Sequence, residues 1–273
     1  MTIQILDRRH YGQTLRRPNT PGWNPTTHLV KIHFPEVGER PAWVKIDPQI
    51  KPFVSNEIIG WIIARALGIS APEHAALLIE EAAWFKEKLG ENYPAGALLP
   101  ESGLAMAWCT ADMGHEPIRS VAPFDDWNLL AFLRTEEGAM IAAFDHWLGN
   151  EDRNNGNLLR LPQGRYAVID HGILFCYLDW RKGIIQPACN SLLLTKARQF
   201  VKEKRLTLKE YKRLTSGMAE FGYSHHRIAG MVYSEIFDII SSVEDSIAAL
   251  NVLSCISERC PHRWVADQVG MLT

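Results

Sequence analysis

The residues best suited to chemistry lie in one stretch, Phe144–Phe175, which reads FDHWLGNEDRNNGNLLRLPQGRYAVIDHGILF. Within it, Asn157–Leu161 and Arg165–Ile169 are strand-like runs on either side of the short turn Pro162-Gln163-Gly164. If Leu161 faces Arg165 across that turn, Asn157 faces Ile169, and Asp170 comes one step later. Opposed residues have Cβ atoms about 5 Å apart, so Asn157 and Asp170 can share one cation. Asp152 sits in the loop that enters the same hairpin. Two carboxylates and a carboxamide thus converge at one strand end. Hard oxygen donors of this kind suit Mg2+, which keeps several waters and takes the rest of its coordination from phosphate oxygens.

In isolation, Asp152-Arg153-Asn154-Asn155-Gly156-Asn157 is more often a polar turn, because Asp, Asn and Gly all favour turns. The flanks argue otherwise. An apolar helical run, Ala139–Leu148, precedes it, and the hairpin that follows ends in another aspartate. Asp145 and His146 interrupt the apolar run and read as buried groups that brace the loop rather than as a catalytic dyad.

The run Asn150–Asn157 (NEDRNNGN), followed by Ile169-Asp170-His171-Gly172, resembles the catalytic and metal-binding segments of HipA-like kinases. It is similar, more distantly, to those of type II phosphatidylinositol kinases. The resemblance implies that Asp152 orients or deprotonates the acceptor hydroxyl, while Asn157 and Asp170 hold the Mg2+ that bridges the phosphates of ATP. It further implies that Lys45, at the end of AWVKI, contacts the α- and β-phosphates. Glu57, in Asn56-Glu57-Ile58-Ile59, would pair with that lysine. Ala107, Trp108 and Cys109 stand near the adenine-binding hinge, and Gly12-Gln13-Thr14 in the place of the phosphate-covering loop. On the same resemblance Gln13, Thr14 and Asn154 join the nucleotide contacts. The likeness covers roughly residues 10–175. It departs from the family pattern in four places: no Gly-rich loop, His171-Gly172 in place of Phe-Gly, Asn154 where many relatives carry His, and Ala107 in place of an acidic hinge residue.

Read from the residues alone, Lys31 competes with Lys45 for the phosphate role, and the distance to the following helix favours Lys45. Glu57 also fits a plain first-turn glutamate favoured by the helix dipole.

The elements that must position these groups change character along the chain. Thr27–Phe34 and Ala42–Ile46 read as strands, with Pro35–Pro41 as the hairpin loop between them. Ser55 stands where an N-cap belongs, apolar residues follow at helical spacing to Leu67, and Gly68 closes the helix. Ala75–Glu80 and Leu104–Cys109 are further strands. After Pro123 the pattern is helical except for the hairpin. These runs predict an α+β, two-lobed protein-kinase-like fold: a β-rich lobe over 1–112, a helical lobe over 113–273 and a cleft between them.

Composition excludes several alternatives. With 273 residues, 47% of them hydrophobic and 22% charged, the chain has an ordinary globular make-up. A net charge of −2 and no basic stripe leave no pull toward nucleic acid or an anionic membrane. Trp61, Trp84, Trp147, Trp180 and Trp264 therefore read as core residues, and His225-His226 as surface. The most basic stretch, Lys196–Lys212, is broken by glutamates and reads as a solvated face. The five cysteines (Cys109, Cys176, Cys189, Cys255 and Cys260) show no paired spacing. They read as buried or idle thiols of a reducing, cytoplasmic compartment, a reading preferred over a partial zinc site made of Cys255, Cys260 and His262.

The expected activity is an ATP-dependent kinase with Mg2+ as cofactor. The family resemblance implies a protein serine or threonine as acceptor and, as for several HipA-like toxins, a small antitoxin or regulatory partner. A lipid or small-molecule kinase and a nucleotide-binding pseudokinase are the competing readings.

Overall fold

The computed structural model describes residues 3–16, 26–47, 52–90, 99, 103–118, 125–184, 191–261 and 263–270. The chain forms two compact units, one of residues 1–58 with 72–114 and the other of 59–71 with 115–273.

Among the described residues of the first unit there are six strands, with apolar–polar alternation clearest in the third and in the second half of the fourth. They are β1 (Gln4–Leu6), β2 (Tyr11–Arg16), β3 (His28–Phe34), β4 (Gly38–Ile46), β5 (Ala75–Glu81) and β6 (Leu104–Ala111). They form one sheet in the order β1-β5-β6-β4-β3-β2. All neighbours are antiparallel except β1, which runs parallel to β5. Val30, Ile32 and Phe34 of β3 and Ala42, Val44 and Ile46 of β4 bury the same face, because successive strand side chains alternate between faces. Helix α2 (Ala82–Leu89) seals that core with Phe85 and Leu89. The turn between β3 and β4 is shorter than the sequence pattern predicts. Phe34 already pairs with Gly38, and Pro41 lies within the ladder opposite Lys31. Pro41 has no N–H to offer, but its carbonyl accepts from Asp112 N at 2.8 Å.

Helix α1 (Phe53–Ala66) begins earlier than expected. Asn56 N already donates to Pro52 O at 2.8 Å, so Ser55 is a buried first-turn residue and not the N-cap. Its end closes as the sequence implies, with Gly68 N bonded to Arg65 O and Ile69 N to Ala64 O, the paired hydrogen bonds of a Schellman motif. The division between the units falls within this helix, so Ile59–Ala71, expected in the first lobe, groups with the second unit.

The second unit continues with α3 (Asp125–Leu133), α4 (Glu136–Leu148) and the hairpin β7 (Leu158–Arg160) and β8 (Tyr166–Val168). Helices α5 (Leu192–Lys202), α6 (Leu208–Val243), α7 (Ser246–Glu258) and α8 (Trp264–Gln268) complete it. Helix α6 is 36 residues long and packs against α4, α7 and α8. It starts in a capping box, with Thr207 Oγ1 accepting from Glu210 N and Glu210 Oε2 accepting from Thr207 N. Its buried stripe includes Leu214, Met218, His225, Val232 and Ile236. His225 is therefore interior and only His226 is exposed, which corrects the expectation of a surface pair. Among the tryptophans expected in cores, Trp61, Trp147 and Trp180 are buried, while Trp84 and Trp264 are partly so.

Cys109, Cys255 and Cys260 are buried free thiols, but Cys176 is disulfide-bonded, contrary to the reading of five idle thiols. His262, the third member of the weighed zinc triad, and Cys189 lie outside the described residues. Among the described residues no helix is long and apolar enough to cross a membrane.

Candidate functional site

The loop that carries Asp152 is fixed from both ends. Helix α4 is capped by Thr135, whose Oγ1 accepts from Gly138 N at 2.9 Å, and it ends at Gly149 in the left-handed region (φ 62°, ψ 46°). That conformation carries almost no penalty at glycine and lets the chain reverse out of the helix. Asn150, itself buried, then donates from Nδ2 to Asp145 Oδ1 at 3.1 Å and accepts from Asp152 N at 3.0 Å.

Arg153 is the hub of this region, fully buried beside Asp145. Its Nε and Nη2 donate to the Asp145 carboxylate at 3.1–3.3 Å. Its Nη1 donates to Asn157 O at 3.1 Å, to Ile169 O, and at 3.5 Å to Asp170 O. Nη2 also reaches His171 Nδ1 at 3.0 Å. A guanidinium can only donate, so Nδ1 is the accepting nitrogen and the imidazole proton sits on Nε2. Burial pushes the Asp145 carboxyl upward, and the Arg153 guanidinium and the Asn150 amide pull it back. The bracing role expected of Asp145 is thus realised through Arg153, a residue that sequence reasoning left without a role.

The hairpin has the register derived from its turn. Leu158, Leu159 and Arg160 pair with Val168, Ala167 and Tyr166. Leu161 N donates to Arg165 O at 2.8 Å, and Ile169 N to Asn157 O at 3.2 Å. Asn157 donates from Nδ2 to Asp152 O at 2.8 Å, so its amide oxygen is the atom suited to a cation. Asp170 follows in the left-handed region at φ 62°, a conformation that aspartate tolerates better than most residues but that still costs about 1 kcal/mol.

Asp152 and Asp170 interact. Burial first, and the Asp170 charge second, raise the Asp152 carboxyl above its usual range, while Asn154, Arg153 and Asn157 act in the opposite direction. Asp152, Asp170 and the Asn157 amide oxygen could supply donors to a hard cation, whose charge would relieve the repulsion between the two acids. Asn154 is occupied within the loop. Its Nδ2 donates to Asp152 O and Oδ1 at 3.2 and 3.3 Å, and its Oδ1 accepts from Gly156 N at 2.7 Å.

His171 is held on three sides. Besides Arg153, it meets the Phe144 ring edge-on with centroids 5.6 Å apart. It also lies against α1 at Gly60, where a Cβ would overlap its own Cβ and Cγ.

In the first unit, Lys45 Nζ lies 2.7 Å from Glu57 Oε1, with the lysine side chain 15% exposed and the glutamate 2%. Lys31 instead pairs with Glu39 at the surface, 3.1 Å away. The other sequence-derived positions fall differently from expectation. Ala107 and Cys109 belong to the buried core, whereas Trp108 stands opposite Lys45 in the ladder and shares its face. All three lie inside β6, which runs on to Ala111, so a hinge following this strand starts later than expected. Gln13 and Thr14 belong to strand β2, with Thr14 paired to Val30, and not to a loop. Residues 17–25, which follow β2, lie outside the described residues.

No protein-family model and no curated protein sequence matches this chain. Its fold is similar to that of the Helicobacter pylori proinflammatory kinase CtkA, whose crystal structure aligns over 98% of this chain and 99% of that one. The TM-score is 0.54 and the sequence identity 11%. The α+β architecture is therefore a kinase fold.

Proposed function

We propose that the protein is an ATP- and Mg2+-dependent phosphotransferase acting on a hydroxyl acceptor. The observation that carries this reading is the approach of Asp152 and Asp170 at the end of a hairpin that also presents Asn157. Asp170 and the Asn157 amide oxygen would hold the metal. When bound, Mg2+ supplies charge neutralisation for the transferring phosphoryl group. Asp152 orients the acceptor hydroxyl and takes its proton onto a carboxylate oxygen, a task that its raised proton affinity assists. Arg153 keeps the Asp152 loop and the Asp170 strand end in one geometry. Lys45, steadied by Glu57, contributes a cation for nucleotide phosphates.

A protein serine or threonine is the acceptor we favour, because the motif around Asp152 resembles HipA-like kinases, and some of those are toxins with a small partner. The fold leaves the acceptor open. The experiment offers the purified chain radiolabelled ATP and Mg2+ with cell lysate in one tube and phosphoinositide vesicles in another. Label in a protein band supports the protein-kinase reading. Label in lipid alone would overturn it and leave the phosphotransferase intact. Asp152→Ala should keep ATP affinity and lose transfer by ~10²-fold or more. Unchanged transfer in that variant rejects the site.

A further inference from the structure

The helical unit holds a second concentration of polar groups, away from the Asp145–Arg153 network. His146 and Trp147 lie on the last turn of α4 and His225 near the middle of α6, and each is 2% exposed or less. The Trp147 and His225 rings stack with centroids 4.3 Å apart and planes 12° from parallel. The His146 ring lies 5.3 Å from that of Trp264. Both ring nitrogens of His146, the indole nitrogen of Trp147 and Nδ1 of His225 are buried and have no hydrogen-bond partner among the described residues. Buried polar atoms are nearly always bonded, and a group of unbonded ones points to water or to an ion.

The charge around the cluster selects between ligands. Burial first, and then the charges of Arg198 on α5 and Arg259 after α7, hold the His146 imidazole in its neutral form, down to about 4. Arg259 Nη1 donates to Trp147 O at 3.1 Å, and its guanidinium stands 6.0 Å from the Trp264 ring, with Glu258 beside it in the chain. Arg198 also lines an open concavity of about 340 Å³ together with Thr195, Gln199 and Lys202. A metal ion does not suit this chemistry. Among the described residues no three His, Cys, Asp or Glu side chains converge, and an indole N–H can only donate. An anion meets what is present: N–H donors from two imidazoles and an indole, with two guanidinium groups in electrostatic range.

We propose that His146, Trp147 and His225 form a buried binding site for a small inorganic anion of the chloride or phosphate class. This site is independent of the nucleotide chemistry proposed above. The test is the melting midpoint of the full chain, titrated at fixed ionic strength with chloride, with phosphate and with a bulky organic anion as reference. In the wild type, chloride or phosphate should raise the midpoint by roughly 2–4 °C for each tenfold excess over its Kd, and the reference anion should not. His225→Phe, which keeps a ring against Trp147, and His146→Gln should abolish the response. Should either variant fail to fold, ¹⁵N-histidine spectra of the wild type decide, because a bound anion must shift the ring nitrogens of His146 and His225 together and saturably. Equal effects of all three anions, static histidine signals, or a chloride response that survives in both variants would each overturn the proposal.

Discussion

Replacing Arg153 by methionine separates the folding role of the buried ion pair from its role in the site. The guanidinium is fully buried and is the charged partner of Asp145, which is itself buried. Removing one member of such a pair leaves an uncompensated charge and typically costs about 3–5 kcal/mol. The Ile169 carbonyl loses a donor at the same time, whereas Asn157 O keeps the Ile169 N–H. Each buried carbonyl left unpaired adds about 1–3 kcal/mol. Arg153→Met alone should therefore lower stability by at least ~3 kcal/mol, measured as the shift in urea midpoint multiplied by the slope. Asp145→Asn combined with Arg153→Met removes the stranded charge yet leaves an acceptor for Asn150 Nδ2, and should recover ~2 kcal/mol or more of that loss. Turnover should not recover with it. Both variants lack the donor that ties Asn157 O and Asp170 O together, and displacement by about 1 Å of a positioned group can cost ~10²-fold in rate. A double variant with both wild-type stability and wild-type turnover, or a single variant that costs less than ~1 kcal/mol, would refute the reasoning.

Asp170→Asn should abolish Mg2+-dependent ATP turnover while leaving the melting midpoint almost unchanged, and surviving turnover removes Asp170 from metal duty. Lys45→Met should raise the Kd for ATP, measured by calorimetry, whereas Lys31→Met should not, since Lys31 is occupied at the surface by Glu39. Gly60→Ala drives a methyl into His171 and should cost about 1–3 kcal/mol; His171→Ala in the same chain should return part of it, and a cost unchanged by the second substitution rejects the contact. Burial holds His146 at about 4 and His225 at about 3, against 6.5 for an exposed imidazole. Unfolding therefore takes up protons, and stability present above pH 6.5 falls as pH drops toward those values, by about 2 kcal/mol per histidine at pH 5 in buffer free of small anions. A midpoint–pH slope between pH 7 and 5 that is identical in His146→Gln/His225→Phe assigns the loss to other groups.

Local signals carried most of the architecture and the core of the site. Hairpin register is fixed once a three-residue turn sets Leu161 against Arg165, so the approach of Asn157 to Asp170 follows from counting. Lys45 and Glu57 were likewise legible, because each sits at a fixed step within its own strand or helix. The misplacements share a physical cause: the deciding partner is remote in sequence or lies in the backbone. Ser55 has the side chain of an N-cap, but the carbonyl of Pro52 had already accepted the first helical hydrogen bond. Strand β2 went unseen because Gly12 and Gln13 break its alternation, and only pairing with β3 makes it a strand. Leu104–Cys109 read as a strand leading into a hinge, but only the pairing with β4 and β5 carries that strand on to Ala111 and puts Ala107 and Cys109 on its buried face.

Arg153 and His225 are the more instructive misses, because each left a trace that composition alone conceals. Arginine within NEDRNNGN reads as one more solvated residue of a polar loop. The contrary signal is Asp145, an acid on a helix whose final eight residues are all buried, which must find a cation from elsewhere or remain protonated. The loop that follows α4 offers Arg153, and accepting it as that cation makes the loop a structural element rather than a turn. His225 lies seven residues from both Met218 and Val232, two helical turns each way, on the apolar stripe of a helix that begins at a capping box. In both places a polar residue stands where the periodicity demands an apolar one. The two interior departures then differ in what they recruit. Asp145 meets its counter-charge within the chain, whereas the nitrogens around His225 meet no hydrogen-bond partner among the described residues, and that difference is what divides a braced candidate loop from a candidate anion site.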